Sequence, residues 1–136
     1  LPRFAAWTDG SADWSDPALV GQVWPLRSDD GPHVLQGAGT VRGELFGGCV
    51  EVLDWIRGTS AWPVGDDWDG RLLLLEPSEE MPDDEQWRRM LRSFGALGVF
   101  DRVAGLLVGR PHGLDAAAKR FEERLARSGV PRIAPA

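Results

Sequence analysis

The stretch DGRLLLLEPSEE, residues 69–80, is the strongest indication of fold in this sequence. Its four consecutive leucines, 72–75, are apolar on both alternating faces, which is typical of a strand buried in a parallel sheet. The run ends on Glu76, whose carboxylate is costly to bury without a partner. The sequence therefore predicts a buried strand with Glu76 at its carboxyl end. The Glu76 side chain either faces water there or belongs to a functional site.

The chain downstream of this strand alternates between helix and strand patterns. Residues 81–98 (MPDDEQWRRMLRSFGALG) have Pro and acids in the first turn and then apolar residues at helical spacing. RVAGLLVG, 102–109, predicts another strand, 114–129 another helix, and 130–136 the start of a further strand. This alternation predicts an α/β fold with βα units around a mainly parallel sheet.

The same alternation begins upstream, at residue 34. VLQGAGTVRGELF, 34–46, predicts one or two short strands with turns. The segment 47–59 predicts a helix opened by Gly47 and Gly48, with inward side chains at Val52, Leu53 and Ile56. Adjacent glycines can expose backbone N–H groups to a carboxylate or an oxyanion, although a tight turn into a helix is the simpler interpretation.

Residues 1–33 differ from the rest because they are rich in Asp, Ser, Gly and Pro and show no sustained periodicity. They predict an irregular interdomain arm or linker, followed by one α/β domain over 34–136. Three tryptophans, at 7, 14 and 24, argue against a free tail, since such large apolar side chains favour a docked position.

Composition excludes several functional classes. Fifteen basic residues are outnumbered by twenty-one acidic ones, which argues against a nucleic-acid surface. The apolar runs are too short to cross a bilayer and no secretory signal is evident, so a cytoplasmic location and no membrane partner are predicted. Cys49 is the only cysteine, which excludes an intrachain disulfide and a cysteine-based zinc site. We expect no metal and no cofactor.

The candidate catalytic residues lie where parallel strands end, because loops and helix starts gather at that edge. Glu76 lies at one strand end and GRPHG, 109–113, at the next. An acid in such a place more often caps a helix or faces water than works in catalysis. The acids between 79 and 85 predict a solvated helix entry rather than a metal site. No G-x-S-x-G elbow is present, and an unrelated hydrolase that uses His112 is a weaker alternative.

Three stretches taken together resemble the C-terminal half of the LD-carboxypeptidase family of serine peptidases. They are GELFGGCVEVLDWIRGTSAWP (43–63), RLLLLEPSEEMP (71–82) and LRSFGALGVFDRVAGLLVGRPHG (91–113). The family includes muramoyl-tetrapeptide carboxypeptidases, which act in peptidoglycan recycling, and the microcin C immunity peptidase. The tryptophan-rich GGC-x-EVLxW and GRP forms are similar to the microcin-immunity branch.

The resemblance implies a two-domain peptidase with a Ser-Glu-His triad, whose C-terminal domain is a swivelling β/β/α-like unit. Glu76 matches the triad Glu, and Gly47, Gly48 and Cys49 match a substrate-binding segment. Many members carry Asn in place of Cys49. The family's Ser lies in an N-terminal domain and its His follows the strand that 130–134 begins, so we expect both to be missing here and the isolated chain to be inactive.

The function expected from the resemblance is hydrolysis of an amide bond near the C-terminus of a muropeptide or of a microcin-type peptide–nucleotide conjugate. The segment 29–37 lacks the tryptophans expected of the microcin branch, so the resemblance by itself does not decide for a preference for adenylates. The alternative is a stand-alone, non-catalytic interaction module in which Glu76 is idle. The expected partners are a peptide substrate and the N-terminal domain, and a homodimer is another way to cover the tryptophans of the arm.

Overall fold

The computed structural model describes residues 4–8, 10, 13–29, 31–78 and 82–110. The predicted helix over 114–129, the strand start at 130 and His112 lie outside the described residues. The chain divides into two compact units, Leu1–His33 and Val34–Ala136. The role of the first unit as an interdomain arm stays a prediction.

The described residues of the first unit contain little regular structure. Strands β1 (Ala6–Trp7) and β2 (Arg27–Ser28) form a short antiparallel ladder. A 3-10 turn, Pro17–Leu19, is capped by Asp16, whose side chain accepts a 2.9 Å hydrogen bond from the backbone of Ala18. The described residues between these elements form loops, as expected of a segment rich in Gly, Pro, Ser and Asp.

The tryptophans of this unit have different environments. The guanidinium of Arg27 lies 5.6 Å from the centroid of the Trp7 ring, a cation–π contact. Trp24 lies so close to Gly10 that an added Cβ would be 2.7 Å from the ring. Trp14, in contrast, is 98% exposed. The expectation that all three dock therefore holds for two of them within the chain.

In the part of the second unit that the structure describes, the elements are β3 (Leu45–Cys49), α1 (Val50–Ile56), a 3-10 turn (Gly65–Trp68), β4 (Leu72–Glu76), α2 (Asp84–Ala96) and β5 (Gly105–Val108). The three strands form a parallel sheet in the order β3-β4-β5. The predicted α/β fold class is confirmed, and the leucine run forms the central strand.

The two faces of the sheet are buried to different extents. In β4, Leu73 and Leu75 are fully buried in the core that the two helices share, because side chains alternate along a strand. Leu72 and Leu74 point to the opposite face and are half-buried, and the exposed Glu76 follows them on that face. The strand is therefore fully covered on one side only.

Aromatic rings form the centre of the core. The rings of Trp62 and Trp68 lie 5.2 Å apart, and Phe94 lies 5.1 Å from Trp62. The indole N–H of Trp68 donates a 2.8 Å hydrogen bond to the carbonyl of Pro63, so its one polar group is satisfied although the side chain is buried.

The start of α1 corrects the sequence prediction. Gly47 and Gly48 belong to β3 and do not open the helix, which begins at Val50. A side chain at Gly47 would overlap the backbone of Leu74, so glycine is required by the close approach of β4. Val50 and Leu53 are buried at helical spacing, whereas Val52, predicted to face inward, is 43% exposed.

Helix α2 follows the prediction closely. Asp83 caps its start, since the Asp83 carboxylate accepts from the backbone of Gln86 and the Gln86 side chain accepts from the backbone of Asp83, both at 2.8 Å. The inward face carries Trp87, Met90, Leu91 and Phe94, whereas Leu97 lies beyond the helix end and is exposed. Within the described ranges, no helix combines the length and apolar character needed to cross a bilayer.

The aromatic core leads to a stability prediction. We expect Phe94→Ala to lower the free energy of unfolding by about 3–5 kcal/mol, because a fully buried ring would leave a cavity. The matched control is Trp55→Ala, which removes a 74% exposed ring and should change stability by about 0.5 kcal/mol or less. Urea unfolding of both variants measures the difference, and equal losses would contradict the assigned core.

Candidate active site

Three chain segments meet at the carboxyl edge of the parallel sheet. The register pairs Cys49, the last residue of β3, with Glu76, the last residue of β4. On the other side, the backbone N–H of Gly109 donates a 2.7 Å hydrogen bond to the carbonyl of Leu75, so the chain leaving β5 stays beside β4. Glu76 therefore lies between the end of β3 and the exit of β5.

Gly109 gives the side chain of Glu76 its room. A Cβ on Gly109 would lie 2.5 Å from the Cβ of Glu76 and 3.2 Å from its Oε2. With any other residue at 109, either the Glu76 side chain or the backbone beside it would therefore have to shift. Glu76 is exposed, and in the part of the chain that the structure describes no group donates a hydrogen bond to its carboxylate.

The two glycines at the end of β3 are needed for different reasons. Gly47 lies against the backbone of Leu74, as described above. Gly48 has a φ of 148°, a conformation that other residues rarely adopt, and an added Cβ would meet nothing within 4 Å. Gly48 thus exposes an open stretch of backbone near Glu76, of the kind that a ligand can approach closely.

Glu51, in the first turn of α1, joins the ends of β3 and β4. Its Oε1 accepts a 2.6 Å hydrogen bond from the hydroxyl of Ser78, and the backbone N–H of Ser78 lies 3.3 Å from both of its carboxylate oxygens. Its Oε2 accepts a 3.0 Å hydrogen bond from the thiol of Cys49. One carboxylate thus receives donors from both sides of the candidate site.

The electrostatics of this cluster keep Glu51 charged and Cys49 neutral. Burial alone would raise the pKa of Glu51, but the hydrogen bonds from Ser78 and Cys49 outweigh it and hold that pKa below its ordinary value. Burial and the neighbouring Glu51 carboxylate raise the pKa of the Cys49 thiol. Since the thiolate is the reactive form, Cys49 is poorly suited to act as a nucleophile at neutral pH.

Sequence reasoning missed Glu51 and Ser78. The two residues are 27 positions apart, and the family-like stretches that contain them do not indicate a contact between them. The only local signal was the position of Ser78, two residues after the acid at the end of the leucine run. The contact depends on the pairing of β3 with β4, which a local pattern does not show.

The remaining acids that the sequence singled out, between 79 and 85, are described only in part. Asp83 caps α2, and Asp84 and Glu85 are exposed in its first turn, as expected of a solvated helix entry. Glu79 and Glu80 lie outside the described residues, as does His112. Among the residues that are described, no group of three or more His, Cys, Asp or Glu side chains could hold a metal ion.

The fold and the site together define a parallel α/β domain with functional groups at the carboxyl edge of its sheet. The molecule has a parallel α/β domain that presents an acid, a glycine-containing strand end and a hydrogen-bonded carboxylate at the edge where such domains hold their functional groups. Residues 42–134 match the family model described as the LD-carboxypeptidase C-terminal domain. The chain belongs to this family of serine peptidase-type hydrolases, which confirms the expected resemblance.

Individual relatives agree with this assignment. A Vibrio cholerae protein provisionally named a carboxypeptidase is 29% identical over 109 residues, which are 78% of this chain and 29% of that protein. The chain therefore spans less than a third of the length of this curated relative.

Solved structures also match the fold. An MccF-like protein from Streptococcus pneumoniae, in complex with AMP, has a TM-score of 0.85 at 28% identity, covering 99% of this chain and 42% of that one. The microcin C7 self-immunity protein MccF, in complex with aspartyl sulfamoyl adenosine, has a TM-score of 0.72 at 23% identity, covering 96% and 38% respectively. The second likeness shows the fold alone.

The contact between Gly109 and Glu76 yields a prediction. We expect Gly109→Ala to lower the free energy of unfolding by about 1–3 kcal/mol, because the new methyl group overlaps the Glu76 side chain. The control is Gly95→Ala within α2, where an added Cβ would lie 3.6 Å from Phe100 and should stabilise the helix by about 0.5–1 kcal/mol.

Urea unfolding of the two alanine variants provides the measurement. Opposite signs are expected for the two substitutions. A neutral or stabilising Gly109→Ala would mean that Glu76 does not occupy the space beside residue 109.

Proposed function

We propose that this chain forms the acid-bearing domain of a serine-type carboxypeptidase and that Glu76 is the acid of a Ser-Glu-His triad. The supporting observation is the setting of Glu76: it ends the central strand, its carboxylate is exposed, and Gly109 leaves room for it. No described group donates a hydrogen bond to this carboxylate, so an imidazole is free to approach it.

The chemistry follows from what such a carboxylate does. Glu76 would accept a hydrogen bond from Nδ1–H of a histidine, hold that ring in the correct orientation and stabilise the imidazolium. The imidazole takes the proton of a serine hydroxyl as the serine oxygen attacks the amide carbonyl, and it then returns the proton to the leaving amine. Water hydrolyses the acyl-enzyme by the same route.

The Ser and the His are proposed to come from outside the described residues. The chain spans 29% to 42% of the length of the relatives reported above, which leaves room in such proteins for both groups. The domain that carries the serine would be the direct partner of this one. A cytoplasmic location stays a prediction.

The proposed substrate is an amide bond in a peptide–nucleotide conjugate. Support comes from the MccF-like neighbour with a TM-score of 0.85, whose structure contains AMP. The aspartyl sulfamoyl adenosine in the MccF structure, a neighbour in fold alone, indicates the kind of test compound. In this proposal the open backbone at Gly48, next to Cys49, receives part of the substrate. A cell-wall muropeptide, the other substrate that the family suggests, is the competing outcome of the test.

The test uses the protein encoded by the complete open reading frame that contains this chain. We expect Glu76→Gln to lower kcat about 10³–10⁴-fold, because the amide keeps the size of the side chain but cannot stabilise an imidazolium. Hydrolysis of an aminoacyl sulfamoyl adenosine and of a tetrapeptide muropeptide is followed separately. The control is Glu44→Gln, an acid just before β3 at the opposite edge of the sheet, which should leave kcat unchanged.

Three results would contradict all or part of the proposal. Full activity of Glu76→Gln would remove Glu76 from the triad. A parent protein that cleaves neither substrate would favour the non-catalytic interaction module instead. Cleavage of the muropeptide alone would support the peptidase activity but contradict the proposed peptide–nucleotide substrate.

A further inference from the structure

We propose that Glu51 is a positioning residue whose carboxylate ties the loop after β4 to the end of β3 and so fixes the direction in which Glu76 presents its own carboxylate. The inference rests on the proposed role of Glu76 in the triad. It adds a second carboxylate with a separate task, one that touches neither the substrate nor the reacting atoms.

The hydrogen bonds give Glu51 control over the loop. Ser78 donates both its hydroxyl, at 2.6 Å, and its backbone N–H, at 3.3 Å, to the same carboxylate. Only Pro77 separates Ser78 from Glu76, and its ring fixes one of the backbone angles between them. The loop is therefore held at Ser78 and by the strand at Glu76, which leaves Glu76 little freedom of direction.

The third hydrogen bond links this loop to the other half of the site. The Cys49 thiol donates to Glu51 at 3.0 Å, and Cys49 pairs with Glu76 in the sheet. Glu51 thus connects the strand end proposed to receive substrate with the loop that follows the proposed triad acid. A change at Glu51 should disturb the position of one relative to the other.

A carboxylate is the side chain that this arrangement requires. Three donors converge on Glu51, and only an ionised carboxylate offers two oxygens that both accept. In Glu51→Gln one of these oxygens becomes an NH₂ group, which faces the backbone N–H of Ser78 as a donor against a donor, because that N–H lies 3.3 Å from both oxygens. The lowered pKa of Glu51 agrees with this requirement.

The catalytic test is carried out in the protein from the complete open reading frame. We expect Glu51→Gln to lower kcat about 10–100-fold with little change in KM. The reason is that displacing the Glu76 carboxylate slows the reaction but leaves substrate binding intact. Ser78→Ala keeps the backbone N–H and should lose less, and Ser78→Thr, which restores a hydroxyl, should recover most of the parent kcat.

A second readout does not depend on catalysis. In the 136-residue chain Cys49 is the only cysteine, so the pH dependence of its alkylation by iodoacetamide reports its pKa. We expect Glu51→Gln to shift that titration downwards, towards the ordinary value of 9.0, because the negative charge beside the thiol is removed. Ser78→Ala leaves that charge in place and should not produce this shift.

The outcomes separate this inference from the function on which it rests. If Glu76→Gln retains full activity, the proposed function fails and this inference fails with it. If Glu76→Gln is inactive while folded Glu51→Gln and Ser78→Ala keep the parent kcat, only the positioning role is wrong. An unchanged Cys49 titration in Glu51→Gln would contradict the hydrogen bond itself. If Glu51→Gln does not fold, the kcat values of Ser78→Ala and Ser78→Thr test the positioning role instead. A lower kcat for Ser78→Ala that Ser78→Thr restores would support it, and an unchanged kcat for Ser78→Ala would contradict it.

Discussion

The parallel pairing of β4 with a strand on each side is the constraint on which the rest of the unit depends. Leu73 and Leu75 are buried beneath two helices, and the backbone of Leu74 leaves room at its β3 neighbour for nothing larger than Gly47. This pairing sets Cys49 beside Glu76 and keeps the chain after β5 against β4. The candidate site is a consequence of that register.

Local sequence patterns were sufficient for the elements whose stability is local. The leucine run, the capped and amphipathic α2 and the apolar β5 all carry their signal within a few residues, and each was predicted. The predicted start of α1 was wrong because Gly47 and Gly48 lie in strand β3. Glycine is needed at position 47 because the β4 backbone lies against it. This contact is long-range in the sequence, so the residues adjacent to position 47 do not indicate it.

The candidate site could be predicted only in part for the same reason. The position of Glu76 at a strand end followed from its own sequence, and its proposed role came from the family resemblance. Gly109 and Glu51 shape its surroundings from the exit of β5 and from α1, so their importance depends on sheet pairing. In this account Glu76 acts at the site, while Gly109 and Glu51 decide where its carboxylate lies.

The most direct test of the role of Glu76 is an experimental structure of the protein from the complete open reading frame, in which the distance from the Glu76 carboxylate to the nearest imidazole nitrogen is measured. We expect a hydrogen bond of about 2.6–3.2 Å, with the other nitrogen of that ring facing a serine hydroxyl. A catalytic histidine held by a different acid, with Glu76 pointing into water, would contradict it.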